Sequence, residues 1–338
     1  MVENSFISEQ SIISCLKNYY HIKVHALEFL PIGADANAMV YKAGTHNKSY
    51  FIKVRQGNHD DISIAIMNLL QSAGLQQIIL PVKTVDGNQI QYIENNTVIV
   101  YPFIHGKNGF DQPLTEKQWN TLGTALRKLH EINVPVSLQH LLRRETYSPK
   151  WRTAVRSLYD YIKTKPITGT IELKLLDFMQ KKAEVIHKLV SNSELLAQNL
   201  QKDSSKFVLC HSDIHGGNII IDPNNTIFIV DWDDPILAPK ERDLMFIGGG
   251  VANVWNIPSE EVFFYSGYGK TEVNKAILAY YRHERIVEDI AIYGESIFLK
   301  ESKNESKLED YNLFKSMFEP RGVVDIAFET IQKFRINI

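Results

Sequence analysis

The sequence predicts an α+β chain in which a small lobe built on an antiparallel sheet precedes a larger lobe that is mostly helical. Short β-branched runs separated by turn residues dominate 26–101, whereas apolar residues recur at helical spacing from residue 115 onwards. We expect the first lobe over 1–103 and the second over 104–338, with a helical insertion near 148–200.

The first lobe is predicted to open on an amphipathic helix, because apolar residues over 8–20 recur at helical spacing. Strands follow where β-branched and aromatic residues concentrate, at 26–30, 38–43, 49–54, 77–82, 89–93 and 97–101. A second helix is expected between the third and fourth strands, from residue 60 to Gly74. By itself the linker 33–37, which has a single glycine, matches an ordinary hairpin turn; only its position between the first two strands suggests a loop that cradles phosphate groups.

The second lobe is predicted to be helical from Thr115, where a threonine followed three residues later by a glutamine matches a helix-start pattern. Two further helical patterns occupy 148–200, and the segment 165–169, which contains proline and glycine, separates them. The last third of the chain is helical as well. These helices would form the bulk of the second lobe.

The composition argues against several classes of protein. The formal net charge is −2, so the chain lacks the basic excess typical of a nucleic-acid binder. Its two cysteines are too few for a disulfide framework, and no stretch is long and apolar enough to cross a membrane. The amino terminus shows no secretory signal. We therefore expect a cytoplasmic protein with no nucleic-acid or membrane partner.

A polar loop at 210–218 precedes two short apolar runs, which are joined by turn-forming residues at 222–225. Because the runs are β-branched, the pattern predicts a hairpin. This order would bring Asp213, Asn218 and Asp231 to one end of the hairpin. Each of them alone could be an ordinary turn residue, because Asp and Asn are common in turns.

These three side chains match the requirements of phosphoryl transfer to a hydroxyl group. In that reaction a carboxylate accepts the hydroxyl proton, while carboxylate and amide oxygens hold Mg²⁺ against the phosphates. Asp213 is the candidate base, and Asn218 and Asp231 are the candidate metal ligands. Their order and spacing follow the protein-kinase pattern, in which an Asn five residues after the catalytic Asp and a later Asp bind metal.

The loop 211–218 together with 231–233 resembles the catalytic core of the aminoglycoside phosphotransferase family, a branch of the protein-kinase-like fold. The resemblance implies a bilobal fold, ATP and Mg²⁺ as cofactors, and a monomer that binds a small-molecule acceptor. It further implies that Asp243 ties down the catalytic loop. Narrower stretches resemble members that act on the aminocyclitol spectinomycin and imply phosphorylation of its 9-hydroxyl; they lie at 33–38, 101–105, 147–152, 238–250 and 281–289.

The resemblance implies that two stretches of the first lobe bind the nucleotide. Lys53 occupies the position of the kinase strand lysine that reaches the α- and β-phosphates. Asp61 is the candidate partner of Lys53, although an acid at a helix start also favours the helix itself. At the hinge, the carbonyl of Tyr101 and the N–H of Phe103 are expected to contact adenine, because Pro102 has no N–H.

Acidic residues of the second lobe are implied to bind the acceptor, because spectinomycin carries two methylamino groups. The candidates are Glu284, Glu288 and Asp289, on a predicted helix. A salt-bridged helix face is the alternative interpretation, since Arg282 and Arg285 lie beside them.

The sequence thus predicts an ATP-dependent phosphotransferase that acts on an aminocyclitol. A metabolic kinase of the same fold, acting on choline, a sugar or an amino alcohol, is the alternative enzyme. A nucleotide-binding regulator without catalysis is disfavoured, because the base and both metal ligands are present.

Overall fold

A sheet near the amino terminus and a group of helices further along the chain belong to separate units of the structure. The computed structural model describes residues 7–31, 37–57, 62–201, 206–251 and 254–336. The first unit comprises Met1–Lys107, Val134–Leu141 and Ile220–Asp233; the second comprises Asn108–Asn133, Leu142–Ile219 and Asp234–Ile338. The first unit therefore runs slightly past the predicted boundary at residue 103 and also takes up two later segments.

Among the described residues before Lys107, the first unit contains two helices and an antiparallel sheet, as predicted. Its elements before Lys107 are α1 (Glu9–Tyr20), β1 (Ala26–Leu30), β2 (Ala38–Gly44), β3 (Ser49–Gln56), α2 (Ile62–Ser72), β4 (Gln91–Ile93) and β5 (Asn96–Pro102). The strands are ordered β1-β2-β3-β5-β4, and every neighbouring pair is antiparallel. Helix α1 begins after Ser8, whose hydroxyl accepts a hydrogen bond from the Ser11 N–H at 3.0 Å.

The predicted strand at 77–82 is wrong, because this stretch, which the structure describes throughout, has no strand. Pro81 lacks an N–H and cannot donate to a ladder, which explains why continuous pairing fails here. Isolated bonds replace the ladder: the Val82 N–H donates to the Val100 carbonyl at 2.7 Å, and the Gln77 carbonyl accepts from the Ile229 N–H at 2.6 Å. Hence the later segment 220–233 is joined to the first unit.

One hydrophobic core connects helix α1 to the sheet. Ile12 and Leu16 of the helix are fully buried in the same cluster as Ile52 and Val100 of the strands. Burying an aliphatic side chain of this size contributes about 1.5–3 kcal/mol. The packing explains why the helix forms where the apolar spacing predicted it.

The remaining elements follow in chain order. They are β6 (Lys107–Asn108), α3 (Glu116–Glu131), α4 (Val136–Gln139), β7 (Arg143–Arg144), α5 (Lys150–Thr164), α6 (Thr170–Lys181), α7 (Ala183–Leu200), β8 (Val208–Cys210), β9 (Ile219–Ile221), β10 (Ile227–Ile229), β11 (Ile236–Ala238), α8 (Glu241–Leu244), α9 (Pro258–Tyr268), α10 (Lys275–Phe298), α11 (Asn304–Ser316) and α12 (Val323–Phe334). Helix α3 starts with the predicted reciprocal cap: the Thr115 N–H donates to Gln118 Oε1 at 2.9 Å and Thr115 Oγ1 accepts from the Gln118 N–H at 3.3 Å.

The helical insertion contains one break more than predicted. The pattern predicted two helices within 148–200, but α5, α6 and α7 are separate there. The additional break lies at Lys182, whose backbone leaves the helical region at φ −102° and ψ 9° although neither Gly nor Pro is nearby. These helices bury Leu158, Leu175 and Leu189 in one core with Ile286 and Ile290 of α10. Helix α10 is therefore held rigidly by packing, which matters for the site that it carries.

Within the described parts of the chain, no helix combines the length and apolar character that a membrane span requires.

Candidate active site

The loop that carries Asp213 runs from β8 to β9 and is tied to helix α8. Both carboxylate oxygens of the buried Asp243 accept backbone hydrogen bonds, from the His211 N–H at 2.9 Å and the Ser212 N–H at 2.7 Å. Ser212 has a positive φ of 78°, which a non-glycine residue adopts only when its surroundings hold it there. The expectation that Asp243 ties down this loop is confirmed.

The ring of His130 completes the support of the loop. His130 Nε2 lies 3.0 Å from Asp243 Oδ2, and its Nδ1 lies 2.8 Å from the Tyr268 hydroxyl. Burial by itself would raise the pKa of Asp243, but the hydrogen bonds from His130 and from the His211 N–H outweigh burial and lower that pKa. Asp243 is therefore an anion at neutral pH, and its two oxygens keep the loop in one conformation.

Both oxygens of the Asp213 carboxylate have a basic neighbour. Arg285 Nη1 donates to Asp213 Oδ1 at 2.5 Å, and His215 Nε2 lies 3.3 Å from Asp213 Oδ2. Because His215 Nδ1 accepts a hydrogen bond from the Gly217 N–H at 3.0 Å, the neutral ring carries its proton on Nε2, facing the carboxylate. Burial would raise the pKa of Asp213, but Arg285 and His215 hold the pKa well below its usual range. Asp213 is thus ionised at neutral pH.

Asn218 lies at the end of the same loop, in a short 3-10 turn at Gly216–Asn218. Its Nδ2 donates to the Asp213 carbonyl at 2.8 Å, and its backbone N–H donates to the His215 carbonyl at 3.0 Å. These bonds orient the buried amide and direct its donor inward, toward the loop. They leave the side-chain oxygen, Oδ1, as the atom suited to accept a cation.

A cavity of about 230 Å³ lies within the second unit, and two of its lining residues, His215 and Arg285, contact the Asp213 carboxylate. Its polar lining includes Arg285, Asp289 and His215, and aromatic rings of Phe110 and Tyr293 form other parts of the wall. The rings of Phe110 and His215 are stacked, with 5.3 Å between their centroids. A cavity that combines aromatic faces with a few convergent charges is suited to a polar molecule of small size.

The three predicted acceptor acids lie in different surroundings, and only Asp289 belongs to the described residues that line the cavity. Burial raises the pKa of Asp289 to about 6, although the neighbouring Arg285 opposes this shift. Glu284 is buried in an ion pair with Arg152. Glu288 is half-buried; burial lowers the pKa of Arg285, but the charges of Asp289, Asp213 and Glu288 outweigh burial and raise that pKa. Their role in acceptor binding remains a prediction.

In the first unit, Lys53 lies in a cluster with two carboxylates of the segment after β10. Its ammonium is hydrogen-bonded to the Asp233 carboxylate and lies 3.7 Å from Asp231 Oδ1. The Lys53 side chain is only 13% exposed, so these acids offset the cost of burying its charge. Asp233 was not among the predicted site residues. The only signal for it in the sequence is a second Asp two positions after the predicted metal ligand.

Local hydrogen bonds shape the segment that presents these acids. Asp222 Oδ1 accepts from the Asn224 N–H at 2.9 Å and the Thr226 N–H at 2.8 Å, which closes the turn between β9 and β10. After β10, the Trp232 ring N–H donates to the Ile229 carbonyl at 2.9 Å. Asp231 lies between them with a positive φ of 62°. The predicted hairpin is confirmed. The segment after it is bent at Asp231, and the hydrogen bond of the Trp232 ring holds it.

The structure says less about the other residues that were predicted to bind the nucleotide. Asp61 and residues 33–36 of the predicted phosphate loop lie outside the described residues. Helix α2 carries no acidic side chain over Ile62–Ser72. The Phe103 N–H donates to the Ser49 carbonyl at 3.0 Å, so its predicted contact with adenine would have to share or replace this bond. Tyr101 belongs to β5 beside it, paired with Phe51.

Comparisons with known proteins show to which family the chain belongs. A family model described as the phosphotransferase enzyme family matches residues 28–264. The crystal structure of spectinomycin phosphotransferase APH(9)-Ia in complex with ADP and spectinomycin is 49% identical, has a TM-score of 0.91, and the match covers 97% of this chain and 100% of that chain. The AMP-bound complex of the same enzyme is 48% identical with a TM-score of 0.87, covering 95% and 98%. A comparison with curated proteins found no match.

More distant structures share the fold alone. A microcompartment-associated aminopropanol kinase is 14% identical with a TM-score of 0.64, over 96% of this chain and 98% of that chain. The predicted protein-kinase-like α+β fold, with a sheet lobe and a helical lobe, is confirmed. The family model spans more than half of the 338 residues. The chain therefore belongs to the phosphotransferase enzyme family.

Proposed function

We propose that the chain is an ATP-dependent phosphotransferase that moves the γ-phosphoryl group of ATP to the 9-hydroxyl of spectinomycin. The observation that carries this proposal is the 49% identity, over nearly the whole of both chains, to a phosphotransferase whose crystal structure holds ADP and spectinomycin. The ionised Asp213, held by the cavity-lining residues Arg285 and His215, gives the proposal a chemical basis.

Asp213 is the proposed catalytic base. Its carboxylate accepts a hydrogen bond from the acceptor hydroxyl, orients the oxygen toward the phosphorus atom and takes the proton as the new P–O bond forms. Each carboxylate oxygen has a second lone pair, so the contacts with Arg285 and His215 still leave room for the hydroxyl. A low pKa suits this role, because a loose transition state requires orientation of the nucleophile more than early removal of its proton.

The side chains present fit a hydrated Mg²⁺ ion. Asp231 offers a carboxylate that is 51% exposed, and the Nδ2 bond of Asn218 leaves its amide oxygen as the acceptor, so both provide the hard oxygen ligands that Mg²⁺ prefers. Asn218 and Asp231 would hold the ion, which when bound neutralises charge on the phosphate oxygens. Lys53 is the proposed partner of the α- and β-phosphates.

The remaining nucleotide contacts are proposed on the resemblance. Tyr101 and Phe103 would contact adenine through backbone atoms, and Asp61 would pair with Lys53. Asp233 contacts Lys53 directly and is therefore a second candidate partner for that lysine. The two need not exclude each other, since an ammonium group has three donors.

Acceptor recognition is proposed to use acidic residues, because a methylamino group is positively charged at neutral pH. Asp289 has the strongest support of the three candidates, since it lines the cavity together with Arg285, which contacts Asp213. Glu284 and Glu288, which are not among the described residues that line the cavity, are the other candidates. We further propose a cytoplasmic monomer, because ATP and Mg²⁺ are available in that compartment.

Mass spectrometry of spectinomycin after incubation with the protein and Mg·ATP tests the proposal. We expect a product heavier by one phosphoryl group, and fragmentation should place the group on the 9-hydroxyl. The Asp213→Asn protein serves as the control for contaminating kinases. Phosphorylation of choline or an amino alcohol, with spectinomycin left unchanged under the same conditions, would contradict the proposed acceptor.

A further inference from the structure

Arg285 bridges the catalytic carboxylate and the carboxylate in the cavity wall. Its Nη1 donates to Asp213 Oδ1 at 2.5 Å, while its Nε donates to Asp289 Oδ1 at 3.1 Å. The guanidinium also faces the Phe246 ring, 5.8 Å from the ring centroid. Three contacts on different sides therefore hold one planar group.

The bridge is anchored on a rigid element. Arg285 and Asp289 are one turn apart on α10, so the Nε contact is made within that helix. Val287, between them along the helix, and Ile290, directly after Asp289, are fully buried. Because a guanidinium is a planar fork, fixing Nε also fixes the direction of Nη1. The position of the donor that meets Asp213 is thus determined by α10 and not by the catalytic loop.

A carboxylate held at one oxygen can still rotate about its terminal torsion, which is a broad, weakly restricted angle. The Asp213 side chain is 37% exposed, so packing alone does not restrict that rotation. Contacts at both oxygens, from Arg285 and from His215, restrict it. Rate losses of about 10²-fold follow from small misplacements of a reacting group, so this restriction has kinetic value.

We propose that Arg285 is a positioning residue for phosphoryl transfer, which holds the Asp213 carboxylate in the orientation that receives the acceptor hydroxyl. The inference rests on the proposed function, in which Asp213 is the base. It assigns to Arg285 a role in the chemical step, beyond that of a salt bridge on the face of a helix. Arg285 acts through Asp213 and is not itself a base or acid.

The test compares Arg285→Met, which keeps the length of the stem but removes the fork, with Arg285→Lys, which keeps the charge. For Arg285→Met we expect kcat for spectinomycin to fall about 10- to 100-fold, with the KM for ATP unchanged. Arg285→Lys should recover part of the loss, because a single ammonium restores one contact but not the fixed direction. Thermal melting confirms that each variant is folded.

The matched control is Arg156→Met on helix α5. Arg156 also pairs with a carboxylate, that of Glu194 on α7 in the same unit, but both side chains are exposed. Exposed pairs of this kind contribute about 0–1 kcal/mol to stability. The control should therefore retain the wild-type kcat.

A double-mutant cycle separates positioning from structural support. If Arg285 acts through Asp213, Arg285→Met should lower the single-turnover rate less than about threefold when it is added to Asp213→Asn. Fully additive losses, or a wild-type kcat in Arg285→Met, would overturn the inference. A fall in the KM for spectinomycin at unchanged kcat would overturn it as well, because Arg285 would then merely obstruct the cavity. Failure of the proposed function is distinguishable, since the wild-type protein itself would then leave spectinomycin unmodified.

Discussion

In each unit of the molecule a basic side chain lies between two carboxylates, but the two arrangements differ. In the first unit the ammonium of Lys53 contacts Asp233 closely and Asp231 more distantly, at 3.7 Å. Both acids come from one short segment after β10. The lysine, in contrast, reaches them from β3 at the end of a flexible stem.

In the second unit Arg285 uses two different nitrogens for its two acids. One acid, Asp289, shares its helix, and the other, Asp213, belongs to the loop between β8 and β9. An ammonium is a point charge that can exchange partners, whereas a guanidinium fork fixes directions. The first cluster, Lys53 with Asp231 and Asp233, is therefore suited to receive charged phosphates. The second cluster, Arg285 with Asp213 and Asp289, is suited to hold a fixed geometry.

The largest expected effect comes from removing the acid that the second cluster holds. Asp213→Asn should lower kcat about 10²–10⁴-fold, because the acceptor hydroxyl loses its base, while ATP binds nearly as before. Steady-state kinetics and calorimetric titration with Mg·ATP measure the two quantities. Asp177→Asn, at an exposed pair with Lys181, is the control and should be silent. An unchanged kcat in Asp213→Asn would remove this residue from the mechanism.

The next effect concerns the first cluster. Lys53→Met should weaken ATP binding about 10- to 100-fold, since charged hydrogen bonds to phosphate contribute about 1.5–3 kcal/mol. The KM for spectinomycin should change little, in contrast to variants of the second cluster. Lys181→Met is the matched control at the surface. If the acceptor KM changed instead, the division of tasks between the two clusters would be wrong.

A smaller effect is expected at the acid that holds Arg285. Burial raises the pKa of Asp289 to about 6, so this carboxyl is neutral at lower pH and charged above it. The affinity for a cationic acceptor should therefore rise as the pH increases through about 6, which initial rates at limiting spectinomycin would detect. Asp289→Asn should raise the KM for spectinomycin about tenfold at pH 7.5 and flatten this dependence.

The groups around Asp289 that carry charge are Arg285, Glu288 and Asp213. Arg285 and Asp213 keep their charge over this pH range, because their pKa values lie far outside it. A pH dependence that persisted in Asp289→Asn would therefore assign the titration to another group.

The smallest expected effect tests which acid supports Lys53. Asp233→Asn removes the charged partner to which Lys53 is hydrogen-bonded but leaves Asp231 nearby. The KM for ATP should therefore rise only about two- to fivefold. Asp234→Asn, one residue later and exposed, is the control. A loss as large as that of Lys53→Met would show that Asp233 has a direct role in binding the nucleotide or its metal.

Much of the fold was predictable because its signals are local. The hairpin of β9 and β10 follows from β-branched runs around a turn that Asp222 closes with bonds to residues two and four positions later. The start of α3 likewise follows from the Thr115 and Gln118 pair. The break at Lys182 carries no such signal, and the apolar run at 77–82 is not a strand, because Pro81 interrupts any ladder.

The sequence by itself determined the order of the residues in the proposed site: the candidate base, an amide and an acid around a hairpin, each placed by turns only a few residues long. Only the tertiary structure decided which charges meet. Asp213 and Arg285 are 72 positions apart, and Lys53 and Asp233 are 180 positions apart. Because an ion pair depends on distance in space, and several acids and bases flank each position, spacing along the chain cannot select the partner; the packing of α10 and of the sheet selects it.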